Sequence, residues 1–341
     1  MQSKTNNTVS DKPYLNLLQK VDFNPIFIMG DHRSGTTLLY KLLVATECFN
    51  FVKAYHILKY DELLFNHINQ TEEQAIQELA QLFKSLGISN RTIDKVIVTP
   101  NLPEEYGFII NNKTGKRAGL NPNNLPILKE LCRKIQLVSD PDKPLLLKNP
   151  WDFPNYMYVK SVFPAAKFIF IHRNPIHIIN SKLKAIRLML STRCEYTALI
   201  SRDYRNILNQ PLRHLISRIL YSPYFNFALS KVTQKTVQFH HYYFNNIIYL
   251  PKTDYIYITY EQLCDAPKTT ILKSLDFLKL KSKSNFDYES VIEPRPINLL
   301  PEVTKKYDKI FQKLEPYMRE ISGSYAEGYK EAKKYAEILG M

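Results

Sequence analysis

The chain has 341 residues, 45 % apolar and 23 % charged, enough for one large α/β domain or two small ones with a full core. A formal net charge of +14 points to an anionic partner (nucleotide, nucleic acid, anionic lipid or acidic substrate) or to lysine spread over a solvated surface; with no interleaved aromatic and arginine repeats, nucleic acid is not the expected partner. Cys48, Cys132, Cys194 and Cys264 lie far apart without a C-x-x-C pair, which excludes a zinc ribbon or a disulfide framework; the polar N-terminus does not read as a signal peptide and no apolar run reaches the length of a membrane span, so a cytoplasmic protein is expected.

Residues 1–12 read as a disordered tail, and Tyr14–Lys20 as a short helix. "PIFIMG" is a short, continuous apolar run, the pattern of a buried strand, and "TTLLYKLLVATE" continues it as a helix. Thr71–Leu86 is an amphipathic helix with Asn69 or Thr71 as cap and Gly87 as stop. The Asn-, Pro- and Gly-rich stretch 100–126 predicts a loop region that can act as a lid. "KPLLLKNP" is a second buried strand, "FPNYMYVKSVF" a helix and "AKFIFIHRNP" a third strand. "PIHIINSKLKAIRLML" is a helix with Pro in its first turn. Residues 190–250 are helical and aromatic, "DYIYITYEQL" is a fourth strand running into a helix, and "TTILKSLDFLKL" is a further helix. Strands alternating with helices predict an α/β fold: one P-loop-like, doubly wound parallel sheet flanked by helices, in a single domain over 13–341 with a helical insertion at about 185–250.

Two segments carry chemistry. Gly30, Gly35, Thr36 and Thr37 spell G-x-x-x-x-G-T-T between a strand and a helix, with Thr36 where a nucleotide triphosphatase has Lys and with a cation placed earlier, at Arg33. Free backbone N–H groups and the helix dipole make such a turn an anion site, to which Ser34, Thr36 and Thr37 add hydroxyls and Arg33 a planar cation. In "FIFIHRNPIHIINS" a second strand ends in Arg173 and turns through Pro into a helix carrying Ser181, at the strand end where open α/β sheets bind ligands. Two anion clamps on neighbouring strands imply one ligand with two separated phosphate groups, and require that Arg33 and Arg173 open onto the same side of the molecule.

With these segments the sequence resembles the sulfotransferase family, whose donor is 3′-phosphoadenosine 5′-phosphosulfate (PAPS). "RSGTT" at Arg33–Thr37 is similar to the family's 5′ loop, and "HRNPIHIINS" to its 3′-phosphate motif, with Arg173 and Ser181 as contacts. "LLLKNP" resembles the segment that carries a catalytic Lys before Pro, here Lys148, in the bacterial and tyrosylprotein members. "ITYEQLCDAPKTTILKSLDFL" looks like the family's strand and helix near the C-terminus, and "VIEPRP", with Arg295, like the loop that closes over the nucleotide. The matches run in order from about residue 24 to 298. The resemblance implies transfer of the sulfuryl group to a hydroxyl acceptor (small molecule, glycan, lipid or peptide tyrosine) by in-line displacement, without a metal ion. It makes Arg33, Ser34, Gly35, Thr36, Thr37, Arg173, Ser181 and Arg295 the donor-binding residues, and Arg33 and Lys148 the groups that stabilise charge.

Related enzymes place a Glu base about twenty residues past the phosphate loop, where this chain has His56. Histidine suits a base at neutral pH, and Glu104, Glu105, Asp61, Glu62 and Asp152 are its rivals. His32 and His172 flank the two clamps and are not assigned a role, Trp151 stacks on the ligand or packs, and His240–His241 lack partners for a metal site. Two other readings stay open: a nucleotide-binding module that has lost catalysis, motivated by the missing Glu, and a P-loop kinase, which the missing Lys opposes.

Overall fold

The computed structural model describes residues 9–115, 119–292 and 298–320. Its frame is a five-stranded, all-parallel sheet in the order β2-β5-β1-β6-β7, formed by β1 (Pro25–Met29), β2 (Asn50–Phe51), β5 (Leu145–Lys148), β6 (Lys167–His172) and β7 (Tyr255–Thr259). A two-residue antiparallel hairpin, β3 (Asn90–Arg91) with β4 (Val96–Ile97), stands apart from it. The helices include α1 (Thr36–Val44), α2 (Ala54–Leu58), α3 (Leu63–Ile68), α4 (Glu72–Ser85), α5 (Gly107–Thr114), α6 (Leu125–Val138), α7 (Tyr156–Val162), α8 (Pro175–Ser191), α9 (Glu195–Ile200), α10 (Arg202–Leu208), α11 (Pro211–Leu220), α12 (Asn226–Asn246), α13 (Tyr260–Asp265), α14 (Pro267–Phe277) and α15 (Pro301–Lys305).

The central strands are near-continuous apolar runs, broken only at their ends by Lys148, Lys167 and His172, because the sheet is covered on both faces. Side chains alternate across it. Phe27, Met29, Leu145, Leu147, Phe168 and Phe170 enter one core, with α2 to α7 and α12, and Ile26, Ile28, Leu146, Ile169, Ile171 and Ile258 enter the other, with α1, α13 and α14. Each of these side chains is worth about 1.5–3 kcal/mol when fully buried, so the sheet is the rigid part of the molecule. The register aligns Ile28 with Lys148, Met29 with Phe170 and His172 with Thr259. The carboxyl ends of β5, β1 and β6 therefore lie side by side, and ligands of open α/β sheets bind at such an edge.

The four long strands and the doubly wound order stand as expected. Two expectations change. Asp11, placed in the tail, is buried; it accepts from the N–H groups of Leu64 and Phe65 and pairs with the buried Lys134 at 2.9 Å, so ordered structure begins before residue 13. Much of the 100–126 stretch is not loop: it holds α5 and the start of α6. Asp152 ties that region down by accepting from Tyr106 Oη (2.5 Å), the Leu120 N–H (2.6 Å), Asn149 Nδ2 (2.8 Å) and Asn155 Nδ2 (3.3 Å). Helices α9 to α12 follow α8, and α12 packs back on it.

Candidate active site

β1 ends at Met29 and the chain turns through Gly30–Gly35 into α1. The turn is tight: the Ser34 N–H donates to the Asp31 carbonyl, and Arg33 takes the left-handed region at φ 73°. Gly35 follows at φ 104°, where a Cβ would lie 2.4 Å from the Tyr260 ring. Only glycine fits that position. As the residue preceding α1, Gly35 has no side chain to cap the first-turn N–H groups, which leaves them to a ligand.

Arg33 Nε donates to Ser181 Oγ on α8 at 3.1 Å. Arg173, one residue past β6, donates from Nη1 to the Arg33 carbonyl at 3.3 Å and lies 4.1 Å over the Tyr260 ring. Its Nε is buried and has no hydrogen-bond partner. The two clamps thus meet on neighbouring strands and open into one cavity of about 1130 Å³, lined by Arg33, Gly35, Thr36, Thr37, Arg173 and Ser181 among others. An uncapped helix start, an unpartnered buried guanidinium nitrogen and a converging cationic wall fit a ligand with two anionic groups. Lys182, also on the wall, is neutralised by Asp31 at 2.5 Å.

On the other side of β1, Lys148 closes β5. It is completely buried and does not reach the cavity wall; its Nζ pairs with Glu105 Oε1 at 2.8 Å, and Glu105 does line the cavity. The Tyr106 N–H donates to the Lys148 carbonyl at 3.3 Å, which fixes the Glu105 backbone beside the strand end. Burial opposes charge on Glu105, but the Lys148 ammonium outweighs it and holds the carboxyl below the usual glutamate value. Next to this pair His32 lines the cavity with its Nε2 unpartnered, and its ring stands edge-on to Trp151 at 4.3 Å. Burial drives the His32 pKa down to about 4, against the pull of Glu105, so the ring is neutral at pH 7.

Glu104 is a structural acid. It accepts from Tyr196 Oη at 2.8 Å and Arg91 Nη1 at 3.4 Å, and Arg91 also pairs with Asp94. This network braces the β3–β4 hairpin against α9. Beyond it the cavity runs between the hairpin, α5 and α8 to α11, past apolar Ile93, Val96, Phe108, Met189, Ile200 and Ile207 and past polar Arg91, Asp94, Asn111, Ser201 and Asp203.

His56 lies elsewhere. It is 1 % exposed, is not part of the cavity wall, and its Nδ1 accepts from the Lys53 N–H at 3.1 Å at the start of α2. Burial lowers its pKa to about 3. There it caps the start of α2, away from the cavity wall. Of its rivals, Asp61 and Glu62 are surface partners of Lys113 and Lys59, and Asp152 is saturated by its four donors. Ser34 Oγ is buried and faces Gly30, where a Cβ would lie 2.6 Å away, so its hydroxyl is not on the cavity wall. Arg295 lies outside the described residues. His172 packs in an aromatic cage of Phe153, Tyr243 and Phe244, and no cluster of metal-binding side chains, His240 and His241 included, occurs among the described residues. Sequence reasoning assigned no role to His32 or Tyr260; only the position of His32 inside the turn pointed to it.

A model described as "Sulfotransferase family" matches residues 25–235, which covers the turn, both clamps and the Lys148–Glu105 pair. The chain belongs to the sulfotransferase family. Among relatives of this family member, the omega-hydroxy-beta-dihydromenaquinone-9 sulfotransferases Stf3 of Mycobacterium bovis and Mycobacterium tuberculosis are each 29 % identical over 178 residues, 47 % of this chain and 44 % of theirs. The alignment therefore spans less than half of those curated relatives. Among solved structures, sulfotransferase STF9 from Mycobacterium avium superposes with a TM-score of 0.61 at 12 % identity, covering 91 % of this chain and 79 % of that one. Sulfotransferase STF1 from M. tuberculosis does so at 0.50 and 14 %, covering 82 % and 73 %. At these identities the likeness concerns the fold.

Proposed function

We propose that this sulfotransferase-family chain moves the sulfuryl group of PAPS to a hydroxyl of an apolar acceptor. The observation that carries the reading is the junction of Arg33, Ser181 and Arg173 at the ends of β1 and β6, opening into one cavity that is also lined by Glu105, the partner of the buried Lys148. The first turn of α1 and Arg33 hold the 5′ end of the donor, and Arg173 and Ser181 its 3′-phosphate. The bound donor would supply the sulfuryl group: the acceptor oxygen would bond to sulfur as the bond from sulfur to the 5′-phosphate oxygen breaks, and 3′,5′-adenosine bisphosphate would leave. The chain supplies three things. Arg33 and the α1 N–H groups are aimed in advance at the oxygens where charge gathers. The half-apolar far wall aligns the acceptor. Glu105, ionised at neutral pH, takes the hydroxyl proton, and Lys148, acting through that carboxylate, is a positioning residue. A cationic wall takes the place of the metal used in many phosphoryl transfers.

The acceptor class follows from the far wall. Aliphatic and aromatic side chains from five elements suit the body of a long apolar molecule ending in an alcohol, with polar side chains such as Asn111 and Ser201 on the same wall to meet its polar end. The name of the Stf3 relatives describes such an acceptor. The test is titration with 3′,5′-adenosine bisphosphate, then labelled PAPS with a panel of hydroxylated isoprenoids, sterols and tyrosine peptides. Label entering the apolar alcohols supports the reading; nucleotide binding with no transfer to any acceptor, or transfer to the peptides alone, contradicts it.

A further inference from the structure

The wall of the cavity farthest from the phosphate turn includes α11, and this helix is built inside out. At about 100° per residue, Leu212, Leu215, Ile216, Ile219 and Leu220 share one arc. That arc faces solvent, at 72 %, 52 %, 48 %, 47 % and 38 % exposure. Ser217 and Tyr221, from the opposite side, line the cavity. None of the ten residues of α11 is buried. The apolar surface continues through Tyr224, Phe225 and Phe227, exposed by 90 %, 52 % and 45 %. A helix that met only water would turn its apolar stripe to the core, and an exposed patch of this kind marks a contact surface.

The charges tell what the surface contacts. Arg213 and Arg218 are exposed and stand at the two edges of the apolar arc. Residues 202–231 contain five Arg and Lys side chains and one Asp. We propose that α11 and the aromatic turn 224–227 dock the chain on an anionic phospholipid bilayer, with the helix lying in the plane of the headgroups. The arc buries in the acyl boundary while the two guanidinium groups extend back to the phosphates. Tyr and Phe supply the interfacial anchors. With ten residues the helix is about 15 Å long, half of the roughly 30 Å hydrocarbon core, so it lies on the bilayer and does not cross it. Since α11 is shared with the cavity, a docked molecule has the acceptor end of that cavity beside the lipid. That an apolar alcohol then enters from the bilayer rests on the proposed function; the docking does not.

The test is flotation of the full chain with vesicles of phosphatidylcholine alone and with added phosphatidylglycerol. Binding to the anionic vesicles, weakened by salt, is expected for the natural chain. The double variant Leu215→Glu/Ile219→Glu should partition at least about tenfold less, with its urea midpoint and its affinity for 3′,5′-adenosine bisphosphate unchanged. Neither residue lines the cavity. Three results would overturn the docking: natural chain that stays in the aqueous fraction with both vesicles, equal partition of the variant, or a dimer in solution that the variant splits, since a second copy would then cover the arc. A natural chain that binds the nucleotide but neither vesicle refutes this inference alone, and a natural chain that docks but does not bind the nucleotide refutes the proposed function alone.

Discussion

Arg173 does three jobs with one guanidinium: it spans to the carbonyl of Arg33, rests on Tyr260 and keeps Nε for a ligand. Arg173→Ala should therefore weaken binding of 3′,5′-adenosine bisphosphate about a hundredfold, from two lost charge-assisted hydrogen bonds, and titration calorimetry reads it directly; unchanged affinity would remove Arg173 from the donor site. Glu105→Gln keeps the shape and removes the base. Turnover should fall about 10²- to 10⁴-fold while nucleotide affinity holds, and a variant with normal turnover would end the assignment. The Lys148 ammonium lowers the Glu105 pKa, so the natural enzyme should keep its rate down to the ordinary glutamate range, about pH 4.3, before protonation of the base cuts it. In Lys148→Met the same carboxylate is buried without its partner, its pKa rises, and the acid limb of kcat/KM should move to higher pH. A merely structural lysine would leave that limb in place. His56→Gln, which keeps an acceptor near the Lys53 N–H, should leave turnover near normal, and a large loss would restore His56 as base.

At the scale of the element, the phosphate turn works because its backbone is preset. Gly35→Ala puts a Cβ 2.4 Å from the Tyr260 ring at φ 104°, so the turn must shift or Tyr260 must leave Arg173. Either change should raise the nucleotide Kd by about tenfold or more, with a stability loss of about 1–3 kcal/mol, measured by calorimetry and urea unfolding; a variant that matches the natural chain in both would show that the turn is not tightly preset. This turn was legible in the sequence since strand, glycine and helix signals are all local. So were Arg173 and Ser181, fixed by one strand and the helix after it. The pairing of Lys148 with Glu105 was not legible: 43 residues separate them, and only the tertiary fold of α5 under Asp152 brings them together. The same limit applies to His56, because counting along the chain carries no information on direction, and the K-A-Y-H spacing is the N3-to-cap spacing of a helix start. Helices α5 and α6 stayed hidden behind Asn, Pro and Gly. Pro126, in the first turn of α6, was a start signal within a stretch whose composition spoke for loop. The two-residue β2 is too short to leave any periodic pattern.

Over the whole molecule, acid acts through buried rings before it acts on carboxylates. His56 and His172 are 1 % and 5 % exposed, each with an unpartnered Nε2, and burial lowers both to about 3. An unfolded chain binds these protons near the ordinary value of about 6.5. Between pH 6.5 and 3 the unfolded state therefore carries more protons than the folded one, and stability rises with pH across that window. Each ring should cost about 2 kcal/mol of stability between pH 6.5 and 5. The carboxylates with lowered values, such as Glu105 and Asp94, stabilise the fold above their unfolded values near about 4 and lose that contribution mainly as the pH falls below them, so the greater part of the histidine effect comes first. His172→Phe tests this cleanly: the ring sits among Phe153, Tyr243 and Phe244, where an apolar ring fits and no proton can be taken up. Urea midpoints of the variant should match the natural chain or exceed it at pH 5, and the fall between pH 7 and 5 should be smaller by the share of one ring. If both proteins lose stability equally over that interval, His172 is already charged in the fold, and the aromatic cage would have to be solvating an imidazolium through cation–π contact with Tyr243 and Phe244.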